Sequence, residues 1–139
     1  MVTAVKKTET KKNNNLINPD APIFSISIIA TMLEVHQRTL RIYDEEGLLV
    51  PKRTSKNRRL YSLADVEKGK FIQYLTRDLG INLAGVRIIM NLLEQLKIAP
   101  ANYVPYIQKV AVSLNISMEE QALNREKLMK RGRKPKNAQ

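Results

Sequence analysis

Hydrophobic and polar positions fall into blocks along this chain. Residues 1–21 are polar, rich in Lys and Asn, and follow no period. Such a stretch buries too little apolar surface to offset its ordering entropy, so a disordered basic arm is expected there. Pro19 and Pro22 mark the way into the folded part. Ile26, Ile29, Ala30 and Leu33 then recur at the i, i+3, i+4, i+7 spacing of one helical face, with Ser25 in a capping position. A break at Glu34-Val35-His36 precedes a second helix, expected from Gln37 to Glu46 and ended by Gly47. Two short helices around such a break form a helix-turn-helix candidate, here without the glycine often found in the turn.

Leu48-Leu49-Val50-Pro51 and Leu60-Tyr61 flank a polar, basic stretch, Lys52 to Arg59, which predicts a short hairpin or wing. Ser62-Leu63-Ala64-Asp65 has the S-x-x-D form of a helix cap. The helix it opens should carry Val66, Phe71, Ile72 and Leu75, run to Leu79 and end at Gly80. Asn82 caps a fourth helix with Leu83, Val86, Ile89, Met90, Leu93 and Leu96. Val86, Met90 and Leu93 are expected to pack inward, with Ile89 and Leu96 reaching outward to a second subunit. Pro100 and Pro105 should break the chain. Beyond them Tyr106, Ile107, Val110, Ala111 and Leu114 mark a short amphipathic helix, and Ser117 with Glu120 forms a capping box for a last helix reaching about Lys130.

The expected fold is mainly α: a winged helix-turn-helix head over 22–97, a helical and possible dimerisation segment over 98–130, and a basic tail over 131–139. The 139 residues are about one domain's worth and 43% are hydrophobic, a modest core that oligomerisation would support.

Charge narrows the function. Lys and Arg outnumber Asp and Glu by 24 to 13, a net charge of +11, which points to a polyanion: nucleic acid first, an anionic membrane surface second. With no cysteine and one histidine, thiolate metal sites, disulfides, a Cys nucleophile and a His-cluster metal site are excluded. No cofactor is implied. No stretch reads as a signal peptide or a bilayer span, so a cytoplasmic, nucleoid-associated protein with no membrane role is expected. Asn115-Ile116-Ser117 has the form of a glycosylation acceptor, which is a chance match without a secretory signal.

The positive charge gathers where a helix-turn-helix would meet DNA. Arg38 and Arg41 lie on the second helix, and Lys52, Arg53, Lys56, Arg58 and Arg59 lie in the hairpin, with Asn57 at its tip. Such residues neutralise phosphates, and Arg can also grip a guanine edge in the major groove. Gln37 and Thr39 suit the start of a recognition helix. For any one of them a plain solvated role is as good a reading as a base contact, and Arg38 has Asp44 and Glu45 nearby. Tyr43 either gives its hydroxyl to a phosphate or packs beneath the helix, the second being favoured. His36 caps the helix or touches DNA. No nucleophile–base pair or phosphate loop supports an enzyme. The tail from Lys130 to Lys136 is either a loose minor-groove hook or a generic basic run, the latter favoured.

These residues carry a family pattern. Thr39-Leu40-Arg41-Ile42-Tyr43 through Gly47-Leu48, then Arg59-Leu60-Tyr61-Ser62 and Asp65, resembles the MerR family over residues 23–96. His36 to Tyr43, together with Leu79-Gly80-Ile81-Asn82-Leu83-Ala84-Gly85-Val86, is similar to its heat-shock repressor branch, the HspR-like proteins, with Gln37 where that branch has proline. The resemblance implies that Thr39, Arg41 and Tyr43 of the recognition helix, and Arg59 and Tyr61 of the wing, meet double-stranded DNA. It further implies a homodimer, repression at inverted repeats near chaperone genes, and the chaperone DnaK as a co-repressor. Family members dimerise through a C-terminal helix, and here that region carries Pro100 and Pro105. Effector-sensing members use cysteines or a large ligand domain, and this chain has neither.

Overall fold

The computed structural model describes residues 17–132. A two-residue strand, β1 (Phe24–Ser25), leads into α1 (Ile26–Leu33). The Ser25 side chain accepts a hydrogen bond from the Ile28 amide, and Ile29, Ala30 and Leu33 turn inward, as their spacing requires. The break after α1 closes without glycine. Glu34 takes a left-handed conformation (φ 55°), and the Val35 amide returns to the Ala30 carbonyl at 3.0 Å. The Leu33 carbonyl, otherwise an orphan of the helix end, accepts from Gln73 Nε2 at 2.6 Å. α2 (Gln37–Glu45) follows, and Gly47 (φ 70°) reverses the chain behind it.

β2 (Lys52–Arg53) and β3 (Arg59–Tyr61) form the hairpin, and β3 lies between β2 and β1 in a three-stranded antiparallel sheet. Phe24 pairs with Tyr61, and Arg53 stands opposite Arg59. α3 (Leu63–Gln73) starts in the reciprocal capping box expected of Ser62 and Asp65. Its close approach to α1 is made at Gly69, where a Cβ would lie 2.4 Å from Leu33 Cδ1. Where a regular helix to Leu79 was expected, the backbone instead passes into a π-helical turn over Tyr74–Asp78.

α4 (Leu83–Gln95) is capped by Asn82, whose Oδ1 accepts from the Gly85 amide at 2.9 Å. Val86 and Leu93 are buried, and Ile89 and Met90 both pack against the core. Ile89 therefore does not reach outward. The outward stripe is Ile88, Leu92 and Leu96, exposed by 63, 53 and 61%, because these follow one another every four residues on the opposite side of the helix.

Pro100 opens a short 3₁₀ turn to Asn102, but Pro105 does not break the chain. It lies in the first turn of α5 (Tyr103–Ser113), where its missing N–H would have had no helical partner. α5 buries Tyr103 and Ala111 and half-buries Ile107, while Tyr106, Val110 and Leu114 of the expected apolar face point to solvent. α6 (Met118–Gly132) begins with Ser117 Oγ accepting from the Glu120 amide at 3.1 Å.

α6 returns to the π-helical turn through polar contacts. Arg125 grips the Asp78 carboxylate with Nε (3.1 Å) and Nη2 (2.9 Å), and Asn124 Nδ2 donates to the Asp78 carbonyl at 3.1 Å. The Tyr74 hydroxyl meets the buried Gln121 Oε1 at 2.5 Å.

Residues at the end of the expected arm are tied to the head. Asn18 and Asp20 form a side-chain-supported turn, and the Pro19 carbonyl accepts from the Ala64 amide at 2.9 Å, satisfying one of the free N–H groups at the start of α3. The rest of the arm, residues 1–16, and the tail from 133 lie outside the described residues.

Candidate nucleic-acid interface

α2 is two-sided. Leu40 and Tyr43 point into the core, and Arg38 and Arg41 point out. Among the described residues neither arginine forms an ion pair. Arg41 Nη2 makes one weak bond, 3.3 Å to Gln37 Oε1 one turn back, which lines both side chains along the same outer edge. Thr39 and Gln37 are half-buried. His36 occupies the N-cap position and is exposed, but its imidazole makes no capping hydrogen bond, so the capping role expected of it falls away.

The wing is tightly closed. The Thr54 amide donates to the Arg58 carbonyl at 2.9 Å, the Arg58 amide donates to Thr54 Oγ1 at 3.1 Å, and Asn57 takes a left-handed conformation (φ 64°). Ser55, Lys56, Asn57 and Arg58 are all exposed at the tip. Lys52, at the base of the hairpin, is exposed as well.

Arg53, exposed, and Arg59, half-buried, are both paired within the chain. Asp44, on the last turn of α2, accepts on one oxygen from Arg53 Nη2 (3.1 Å) and Arg59 Nε (3.0 Å). Arg53 Nη1 also donates to the Asn57 carbonyl at 3.2 Å. The wing is thereby tied to α2 by the Asp44 carboxylate. Asp44 was legible in the sequence only as a neighbour of Arg38. Its partners lie nine and fifteen positions away, and no helical or strand period connects them.

The two tyrosines implied to meet DNA are core residues. Tyr61 is fully buried and Tyr43 is 8% exposed. Both rings belong to the hydrophobic core cluster, so what either could offer a duplex is at most the rim of its ring. Burial pushes both hydroxyls above the ordinary tyrosine value. Arg77, from the π-helical turn, partly offsets this at Tyr43, as Arg59 does at Tyr61. The Tyr61 hydroxyl has no hydrogen-bond partner among the described residues.

The polar and basic residues left accessible are His36, Gln37, Arg38, Thr39 and Arg41 at α2 and Lys56, Asn57 and Arg58 at the tip. Arg53 and Arg59 stand between, half-neutralised by Asp44. Among the described residues, no helix is long and apolar enough to cross a membrane.

The chain is similar to several known proteins. The family model described as MerR HTH family regulatory protein matches residues 24–93, from β1 to near the end of α4. A Streptomyces coelicolor protein bearing the name heat shock protein HspR is 40% identical over 85 residues, 61% of this chain and 56% of that protein. The Bacillus anthracis regulator GlnR is 39% identical over 74 residues, 53% of this chain and 57% of its own length. The chain therefore spans a little over half the length of these relatives. A Bacillus cereus MerR-family transcriptional regulator of known structure aligns over 84% of this chain and 87% of its own, at 23% identity and a TM-score of 0.46. The helix-turn-helix, the wing and the α4 scaffold behind them all fall within the matched span, and this chain belongs to the MerR family of DNA-binding transcription regulators.

Proposed function

We propose that this protein is a dimeric, sequence-specific repressor of heat-shock genes that binds an inverted-repeat operator. In this reading α2 enters the major groove with Gln37, Arg38, Thr39 and Arg41 toward base edges. The tip residues Lys56, Asn57 and Arg58 rest on the flanking phosphates, and His36 sits at the groove edge. Arg53 and Arg59 reach phosphates from the wing strands. The single observation that carries the reading is the pair Arg38 and Arg41, outward and free of ion pairs among the described residues, beside a wing bolted to the same helix.

Dimerisation is supported by the apolar stripe Ile88, Leu92 and Leu96. It borders an open groove of about 710 Å³, lined in part by Val50, Lys68, Arg87 and Tyr103. Water-exposed apolar surface of this kind is what a symmetric partner covers. Two copies would then present two α2 helices to successive major grooves of one duplex face. The heat-shock assignment rests on the likeness to the HspR-named relative, and DnaK as co-repressor rests on the same branch. The GlnR likeness, 39% identity against 40%, favours a second reading: a regulator of the same type with other target genes.

Selection of duplexes from a random-sequence pool by the purified protein tests the core of this reading. The expected product is an inverted repeat whose affinity falls steeply between low and physiological salt. A selected pool without sequence preference would overturn it. Footprinting on chaperone promoters separates the two target classes, and DnaK added to a gel shift should tighten binding if it is a co-repressor.

A further inference from the structure

The register of the wing places two cations face to face. Arg53 and Arg59 are cross-strand partners, and like charges directly opposite one another destabilise a strand pair. Asp44 resolves this by accepting from both on a single carboxylate oxygen. Yet Asp44 is badly placed for its own helix. It sits in the last turn of α2, where the carbonyl ends of the helix repel a negative charge. The carboxylate is also mostly enclosed, its side chain being 15% exposed. An anion held at such a position, between two guanidinium groups on the face that meets DNA, occupies the place a phosphate would take.

We infer that Asp44 is a specificity-determining positioning residue of this regulator. Its carboxylate stands in for a DNA phosphate between Arg53 and Arg59, and so lowers affinity for DNA of arbitrary sequence. The local charge is one positive rather than two. A duplex that offers only its backbone must compete with Asp44 for both arginines. On the operator, the base contacts of α2 press the wing against the flanking strand, and a phosphate then competes with Asp44 at close range. Arg59 gives Asp44 only its Nε, leaving its Nη groups without a partner among the described residues, whereas Arg53 is tied both to Asp44 and to the Asn57 carbonyl. The inference rests on the DNA-binding face described above, and its test distinguishes the two.

The test uses the full chain, a duplex selected by the wild-type protein, and a scrambled duplex of the same composition. Asp44→Asn keeps the size of the side chain and an acceptor oxygen while removing the charge. The expected result is tighter binding to the scrambled duplex. The slope of log K against log salt on that duplex should steepen by about one, one more phosphate being neutralised. The ratio of selected to scrambled affinity should fall by about tenfold. Asp44→Glu should keep the wild-type slope.

Loss of affinity for both duplexes in equal proportion, with an unchanged slope, would mean that Asp44 only supports the fold and would overturn the inference. If Asp44→Asn does not fold, the wild-type chain decides. The Arg59 Nε–H resonance should keep its free-protein position on the scrambled duplex and move on the selected one. Equal movement on both overturns the inference. A wild-type protein that selects no sequence refutes the DNA reading itself, whatever Asp44 does.

Discussion

At Tyr61 a hydroxyl is buried without a partner among the described residues. Leaving such a group unmade costs free energy, and removing it relieves that cost. Tyr61→Phe is therefore expected to stabilise the free protein by about 1 kcal/mol in urea or thermal melts. A loss of stability would show that the hydroxyl has a partner the ring's position conceals. Residue-level chemistry was partly legible in the sequence. Arg38, Arg41, Lys56 and Arg58 stand where the charge pattern put them, on the surface. Tyr43 is interior, as the packing reading of its ring held. Tyr61 and the internal pairing of Arg53 and Arg59 were not legible. A β-strand's alternation tells which residues share a face, but not which face the fold will cover, and Asp44 reaches its partners only through the tertiary turn at Gly47.

At the scale of elements, the caps were the readable part. Ser25, Ser62, Asn82 and Ser117 each accept the helical N–H that their spacing called for. These are local devices, and local sequence specifies them. Contacts between elements were less visible. Gly69 carries no turn and no positive φ, so nothing in the sequence marked it. Its role is to let α3 lie against Leu33 of α1. Gly69→Val should force those helices apart and cost about 1–3 kcal/mol, measured by denaturant unfolding. The π-helical turn was also hidden, because it is a change of hydrogen-bond pattern within a continuous helical stretch. Its end is held by the Arg125 fork on Asp78, with Arg125 half-exposed and Asp78 mostly enclosed. Arg125→Ala should cost about 1 kcal/mol, a charge-assisted pair discounted for its exposure. The effect should localise, and amide exchange should speed up along α6 well before it does in α3. Uniform acceleration would show that α6 and the head unfold together.

For the whole molecule, the question is what covers α4. Periodicity identified an apolar helix and assigned its two faces, but placed Ile89 on the wrong one, since a stripe wide enough to serve two surfaces has no sharp boundary in sequence. Ile88, Leu92 and Leu96 form the outer edge instead. If a second copy packs there, Leu92→Lys should shift the protein from dimer to monomer in sedimentation experiments while leaving the melting of the head nearly unchanged. Binding to an inverted repeat should weaken far more than binding to a half-site. A variant that sediments as the wild type does would move the interface elsewhere, with the exposed residues Tyr106, Val110 and Leu114 around α5 as the next surface to examine.

In the proposed function α2 reads base edges while the wing tip holds the backbone. Comparison of Arg41→Ala with Lys56→Ala on matched and mismatched duplexes tests it most directly. The expected result is that Arg41→Ala loses about 1–3 kcal/mol on the selected duplex and relaxes preference at one base position, whereas Lys56→Ala weakens every duplex alike and reduces the salt slope by about one. Equal, sequence-independent losses from both substitutions would contradict it.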